Sequence, residues 1–213
     1  MGKTISVKLI SKDYNERIKE IVRLAWNIFI SQYTFGRLDI NKEAPFQHHL
    51  ATILKEVGGL YTLNKTEIFF VDLETKCENI KGKNKYIDIT FGFRGDIKCS
   101  MELKFKTKRQ GAQTYGRIDA YLDLEALELS QQCGYDLGFF FMITDDPSYI
   151  DHSKSGIGAL FPLHDGARIV PKEYLSKGKR VVDITLKNEY LVNWEKHEDL
   201  YFLRLDAGKI ARL

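Results

Sequence analysis

Lys85–Lys108 reads KYIDITFGFRGDIKCSMELKFKTK, and the rest of the chain can be placed around it. From Ile97 the residues alternate: Cys99, Met101, Leu103 and Phe105 are apolar or soft, while Lys98, Ser100, Glu102, Lys104, Lys106 and Lys108 are polar. A period of two is the signature of a strand with one face in a core. The preceding segment alternates with the same parity, Ile87, Ile89, Phe91 and Phe93 against Tyr86, Asp88 and Thr90. The two runs predict a β-hairpin with odd residues inward and even residues outward. Residues that oppose each other across an antiparallel pair share a face. A three-residue turn at Arg94-Gly95-Asp96 satisfies that condition, with Gly95 supplying the permissive backbone. The register then sets Asp88 opposite Glu102, and Tyr86 opposite Lys104.

Two carboxylates directly opposed repel one another. A hard divalent cation between them turns repulsion into ligation, because Mg²⁺ takes one or two carboxylates together with waters and phosphate oxygens. Lys104 lies two residues from Glu102 on the same face, where an ammonium can position a metal-bound water, help deprotonate it, or neutralise charge on a phosphate. A solvated charged strand face explains the same residues. On the hairpin alone both readings are open.

The pattern resembles the PD-(D/E)xK nuclease superfamily, the fold of many restriction endonucleases. Ile87-Asp88 stands for the first half of the motif, without its proline, and Glu102-Leu103-Lys104 is an intact ExK, with Ile89–Met101 between them. The resemblance implies an α/β (α+β) fold with a restriction-endonuclease-like core, a mixed central sheet flanked by helices. It implies a Mg²⁺-dependent DNA endonuclease similar to type II restriction enzymes, with Mn²⁺ as a substitute metal. Asp88, Glu102 and the Leu103 carbonyl would hold the metal, and Lys104 would serve the attacking water. A helix before the core sheet often carries a further metal-binding Glu in this family, and Glu43 is the matching position. Double-stranded DNA is the implied partner and a homodimer the implied assembly. The alternatives are a catalytically inactive DNA-binding protein on the same fold, or a repair, mobile-element or junction nuclease.

The 213 residues suffice for one sizeable core, read as a single nuclease domain over 1–213 with its core at about 42–144 and additions at 145–213. Net charge is only +3, yet Lys81–Arg109 holds nine basic residues against three acidic ones, a local patch suited to a phosphodiester. Cys77, Cys99 and Cys133 are widely spaced, with no zinc pattern or disulfide framework, and this reads as a reducing cytoplasm. No transmembrane run is present, so no membrane partner is expected.

The remaining elements follow from periodicity. Asp13–Ser31 is a helix with Ile18, Ile21, Val22, Ala25, Trp26 and Phe29 on its apolar stripe, and residues 4–10 alternate like a short strand. Lys42–Val57 is a helix ended by Gly58-Gly59. Leu60–Glu74 contains a strand centred on Ile68–Val71, and Thr75–Asn84 reads as a loop. Thr107–Gly116 is a polar connection, Arg117–Gln132 a helix, and Leu137–Thr144 an apolar run fit for a central strand. Gln47, Lys106, Lys108, Arg109 and Gln113 are candidate DNA contacts. Asp119 and Asp123 read as exposed helix charges, with support of the site as the other option. Asp145–Gly158 is a polar loop, and Arg180–Lys187 and Leu200–Leu205 are further strands without an assigned role.

Overall fold

The computed structural model describes residues 9–111, 113–177 and 180–208. Two helices, α1 (Tyr14–Thr34) and α2 (Glu43–Leu60), precede three strands, β1 (Phe69–Ile80), β2 (Lys83–Phe93) and β3 (Ile97–Lys106). Helix α3 (Gln113–Ser130) then leads to β4 (Leu137–Thr144) and the short α4 (Gly156–Leu160). Six strands close the chain: β5 (Arg168–Ile169), β6 (Lys172–Lys177), β7 (Val181–Leu186), β8 (Tyr190–Leu191), β9 (Trp194–His197) and β10 (Leu200–Ala207). The main sheet is mixed, in the order β1-β2-β3-β4-β10-β9, with β3 and β4 parallel and the other neighbours antiparallel. The predicted order of helix, three strands, helix and strand is present as α2 through β4, and the same sheet also takes β9 and β10 from the C-terminal region.

Helices cover both faces of this sheet. Strand β4 is buried along its whole length, with Phe139, Phe141 and Ile143 packed with α1 and α2, and Phe140 and Met142 packed with α3. Trp26 belongs to the first core, stacked on Phe29 and tilted against Phe141 at 4.4 Å between centroids. Arg17, fully buried on α1, is compensated by Glu67 at 2.9 Å and the Tyr61 carbonyl at 3.1 Å.

The hairpin register agrees with the parity expectation: Phe93 pairs with Ile97, Phe91 with Cys99 and Ile89 with Met101, around a turn at Arg94–Asp96. Gly92 sits in this ladder at φ 152°, and a Cβ there would run into the Ile97 carbonyl oxygen. Gly92→Ala is expected to cost about 3 kcal/mol, read as a lower denaturation midpoint at unchanged slope.

The even face differs from the expectation. Thr90, Ser100 and Glu102 are buried, because α3 and the segment after it lie over them, with Ser100 bonded to Ser130 and Thr90 to Tyr135. Helix α2 continues through Gly58, which is a packing point: a Cβ there would meet the ring of Phe69. Likewise α3 begins inside the expected connection, with Gly116 against the Tyr149 hydroxyl. The expected loop 75–84 is mostly strand, since β1 and β2 extend as a hairpin around Lys81-Gly82. Part of the expected loop 145–158 is a single 3-10 turn at Pro147–Tyr149, capped by Asp146. Of the strand expected at 4–10, residues 4–8 lie outside the described residues.

Candidate active site

Both ladders beside Asp88 are interrupted. On one side β1 pairs Leu73 with Ile89 and Thr75 with Ile87, skipping Glu74, whose φ is 51°. A non-glycine residue in that region costs on the order of 1 kcal/mol and persists only where its surroundings hold it. On the other side the β2–β3 pairing stops at Ile89–Met101, one step short of Asp88 and Glu102. Beyond this point β2 follows β1 while β3 follows β4, so the sheet splits. Tyr86 accordingly pairs with Lys76 and is exposed, and Lys104 pairs with Met142; the expected Tyr86–Lys104 opposition does not form.

The split is bridged by side chains. Asp88 Oδ2 accepts the Leu103 N–H at 2.7 Å, replacing a ladder bond. Glu43, the first residue of α2, accepts the Phe105 N–H on Oε2 at 3.3 Å, and its Oε1 lies 3.7 Å from Lys104 Nζ. Gln47, one turn along the helix, donates to the Asp88 carbonyl at 2.7 Å and to Glu74 at 2.8 Å, so its amide fixes the distorted backbone behind Asp88. Gln47, a candidate contact to DNA or to the site, has its described bonds to the site.

Of the two roles expected for Asp123, an exposed helix charge or support of the site, the structure excludes the exposed one. Asp123 is buried on the inner side of α3, with Oδ1 2.7 Å from Lys85 Nζ and Oδ2 2.7 Å from Lys104 Nζ. Lys85 also lies 3.3 Å from Glu102 Oε1, and Lys104 donates to the Leu103 carbonyl at 3.0 Å. The Lys104–Asp123 contact is a close ion pair, and the Lys85–Glu102 contact a longer one. Glu102 Oε1 is a buried carboxylate oxygen without a hydrogen bond, with Lys85 as its ion-pair partner. Four carboxylates (Glu43, Asp88, Glu102, Asp123) meet two ammoniums (Lys85, Lys104), which leaves the cluster short of positive charge.

The electrostatics follow from burial and this imbalance. Burial pushes the Asp88 carboxyl up to about 6, against the Leu103 N–H and Lys104, which hold it down. Burial and the Asp123 charge raise Glu102 well above the usual carboxylate range, with Lys85 opposing and Asp88 adding to the rise. Burial alone would lower Lys104, but the carboxylates of Asp123 and Glu43 outweigh it and hold the ammonium above its ordinary range. Asp123 goes the other way: burial opposes its charge, and Lys104 and Lys85 keep it ionised.

Among the described residues no group of three or more His, Cys, Asp or Glu stands in a metal-holding arrangement. The donor set nevertheless suits a hard cation: the acceptors are carboxylate and carbonyl oxygens. Glu102 Oε1 is a buried acceptor without a hydrogen bond, and Lys85 at 3.3 Å offsets only part of the cost of its charge. Asp88, Glu102 and the Leu103 carbonyl are the groups fit to hold the ion, with Glu43 at the edge.

A cleft of about 390 Å³ opens between α2, α3 and the split strands; Glu43, Lys85, Lys104 and Asp123 line it, while Asp88 and Glu102 do not. Lys106 and Asp119 reach it, 3.8 Å apart, and so does Arg180, which precedes β7. Lys108 and Arg109 form an exposed 3-10 turn, with the Lys108 N–H bonded to Asp145 at 2.6 Å. The side chain of Gln113 lies outside the described residues. The basic patch counted over Lys81–Arg109 is dispersed: Lys81 pairs with Glu125, Lys98 sits over the Tyr135 ring, and Lys85 and Lys104 are spent inside the cleft. No family model, curated protein or solved structure matches the chain.

Proposed function

We propose that the chain is a Mg²⁺-dependent endodeoxyribonuclease with a restriction-endonuclease-like core, acting on double-stranded DNA in the cytoplasm as a homodimer. The observation that carries this reading is the double break in the ladder at Asp88, which sets the buried Asp88 and Glu102 within electrostatic reach of Lys104, and Asp88 within reach of Glu43; Lys104 and Glu43 line the cleft. A surface hairpin gains nothing from burying two carboxylates beside each other; a site built to receive a cation does.

Asp88 and Glu102 would hold the metal, with the Leu103 carbonyl completing their side of it. The Leu103 N–H and Gln47 fix Asp88 from its carboxylate and its backbone respectively. Bound Mg²⁺ supplies Lewis acidity to the scissile phosphate and lowers the pKa of a coordinated water. Lys104 enters as a hydrogen-bond donor rather than as the base, because Asp123 and Glu43 keep its ammonium charged. It orients the attacking water and balances charge on the phosphate. Asp123 holds Lys104 and Lys85 in place.

Metal binding must compete with protons on these carboxylates. The Asp88 carboxyl titrates at about 6, above its unfolded value, so the metal-free fold loses stability as pH rises from about 4 through 6. Millimolar Mg²⁺ should therefore raise the melting temperature at about pH 7.5 and leave it nearly unchanged at about pH 5, read by thermal-shift scans at both values.

Incubation with phage DNA in Mg²⁺, followed by sequencing of fragment ends, tests the activity. Ends at one short motif support a restriction-like enzyme, and scattered or junction-centred ends support a repair or mobile-element nuclease. One observation favours a second reading, a DNA-binding protein without catalysis: Lys85 and Lys104 already occupy the acidic cleft. That reading requires intact DNA in both Mg²⁺ and Mn²⁺ at protein concentrations that bind it.

A further inference from the structure

Arg180 comes from the C-terminal region, 61 residues beyond Asp119 in sequence, yet its guanidinium lines the same cleft as Lys104. Its route there is fixed by α3. Asp119 accepts from Arg180 at 2.6 Å, Glu125 accepts the Thr185 N–H at 2.6 Å, and Glu128 accepts the N–H groups of Lys187 and Asn188 at 2.7 and 2.9 Å. Three acidic side chains of one helix thus dock β7 and the turn after it, and the docking delivers Arg180 to the rim.

The ion pair at that rim is not explained by stability. Arg180 and Asp119 keep 35% and 28% of their side-chain surface, and pairs so exposed contribute little. Lys106 shares the same carboxylate from 3.8 Å, so two cations answer one anion and the rim keeps a net positive charge. Of the five N–H donors on the guanidinium, one is spent on Asp119 among the described residues. A planar donor fork held by one edge beside a second cation is the geometry that takes a phosphodiester.

We propose that Arg180 and Lys106 form a clamp for a DNA backbone phosphate adjacent to the scissile one, aligned by Asp119 as a positioning residue. The clamp rests on the nuclease reading for its substrate, and its role is binding rather than chemistry. It gives the C-terminal ribbon of β6 and β7 a function: it closes the cleft with a phosphate contact.

The test measures binding of a labelled duplex by fluorescence anisotropy in chelator across a salt series, and single-turnover cleavage in Mg²⁺. Arg180→Ala should weaken binding about tenfold and reduce the salt slope by about 1. Arg180→Lys should keep the slope, and Arg180→Ala should lower single-turnover cleavage at subsaturating DNA in step with its weaker binding. Arg180→Gln replaces Arg180→Ala if the latter does not fold. Unchanged affinity and slope in the neutral variant overturn the clamp, even where the parent cuts. A reduced slope in Arg180→Ala where the parent never cuts keeps the backbone-phosphate contact and overturns the nuclease reading. A parent that neither binds nor cuts overturns both.

Discussion

Glu102→Gln should remove Mg²⁺-dependent cleavage, by about a thousandfold or more, and at the same time make the metal-free protein more stable. The two signs come from one cause. Glu102 is buried, one of its oxygens has no hydrogen bond, and the charges of Asp123 and Asp88 stand near it. Lys85 at 3.3 Å does not outweigh burial and these charges, so without a metal ion the carboxylate is a net cost; the neutral amide removes that cost while Lys85 keeps Asp123 as its partner at 2.7 Å. Each kcal/mol recovered raises the melting temperature by about 2–4 °C in a chain of this size. With metal the order reverses: the parent gains stability from Mg²⁺ and the variant does not. A purely structural Glu102 predicts the opposite, a variant that melts lower and responds to Mg²⁺ as the parent does.

Lys104→Met should also abolish efficient cleavage, by about a hundredfold to ten-thousandfold, but with a different companion effect. Lys104 lies between Asp123 and Glu43, and removing its charge leaves the fully ionised Asp123 with Lys85 alone. The fold should lose about 3 kcal/mol, since breaking a buried pair strands a charge. The proposed metal ligands Asp88 and Glu102 are untouched, so the Mg²⁺-induced melting shift at about pH 7.5 should survive. Measured together by thermal shift and single-turnover cleavage, the two variants separate: one stabilised and deaf to metal, the other destabilised and responsive.

The hairpin was legible because period-two alternation, a central glycine and equal parity leave few registers, and the pairing of Ile89 with Met101 follows from them. The apolar run Leu137–Thr144 announced a strand covered on both faces in the same way. The site beyond the hairpin was legible only in part. Glu43 stood out by its place at the start of the helix before the sheet, and it lies 3.7 Å from Lys104, yet Asp123 reads on its helix like any exposed aspartate. Its burial depends on α3 lying over the polar face of β3, a tertiary fact that no local spacing encodes. The same burial concealed Lys85, which looked like one more lysine of a basic run. Gly58 and Gly116 read as breaks because sequence reports a missing side chain without reporting the ring or hydroxyl that needs the room. The interruption of both ladders at Asp88 left no signal, since Glu74 is an ordinary residue in an unusual conformation.

The claim that this cleft is a metal-dependent phosphodiesterase site is tested most directly by following supercoiled plasmid with the parent chain and Glu102→Gln in parallel, in Mg²⁺, Mn²⁺ and chelator. The account predicts that the parent nicks or linearises the plasmid only with metal and that Glu102→Gln leaves it supercoiled. Cleavage by Glu102→Gln at the parent's rate, or an intact plasmid at parent concentrations that bind it in both metals, would contradict the account.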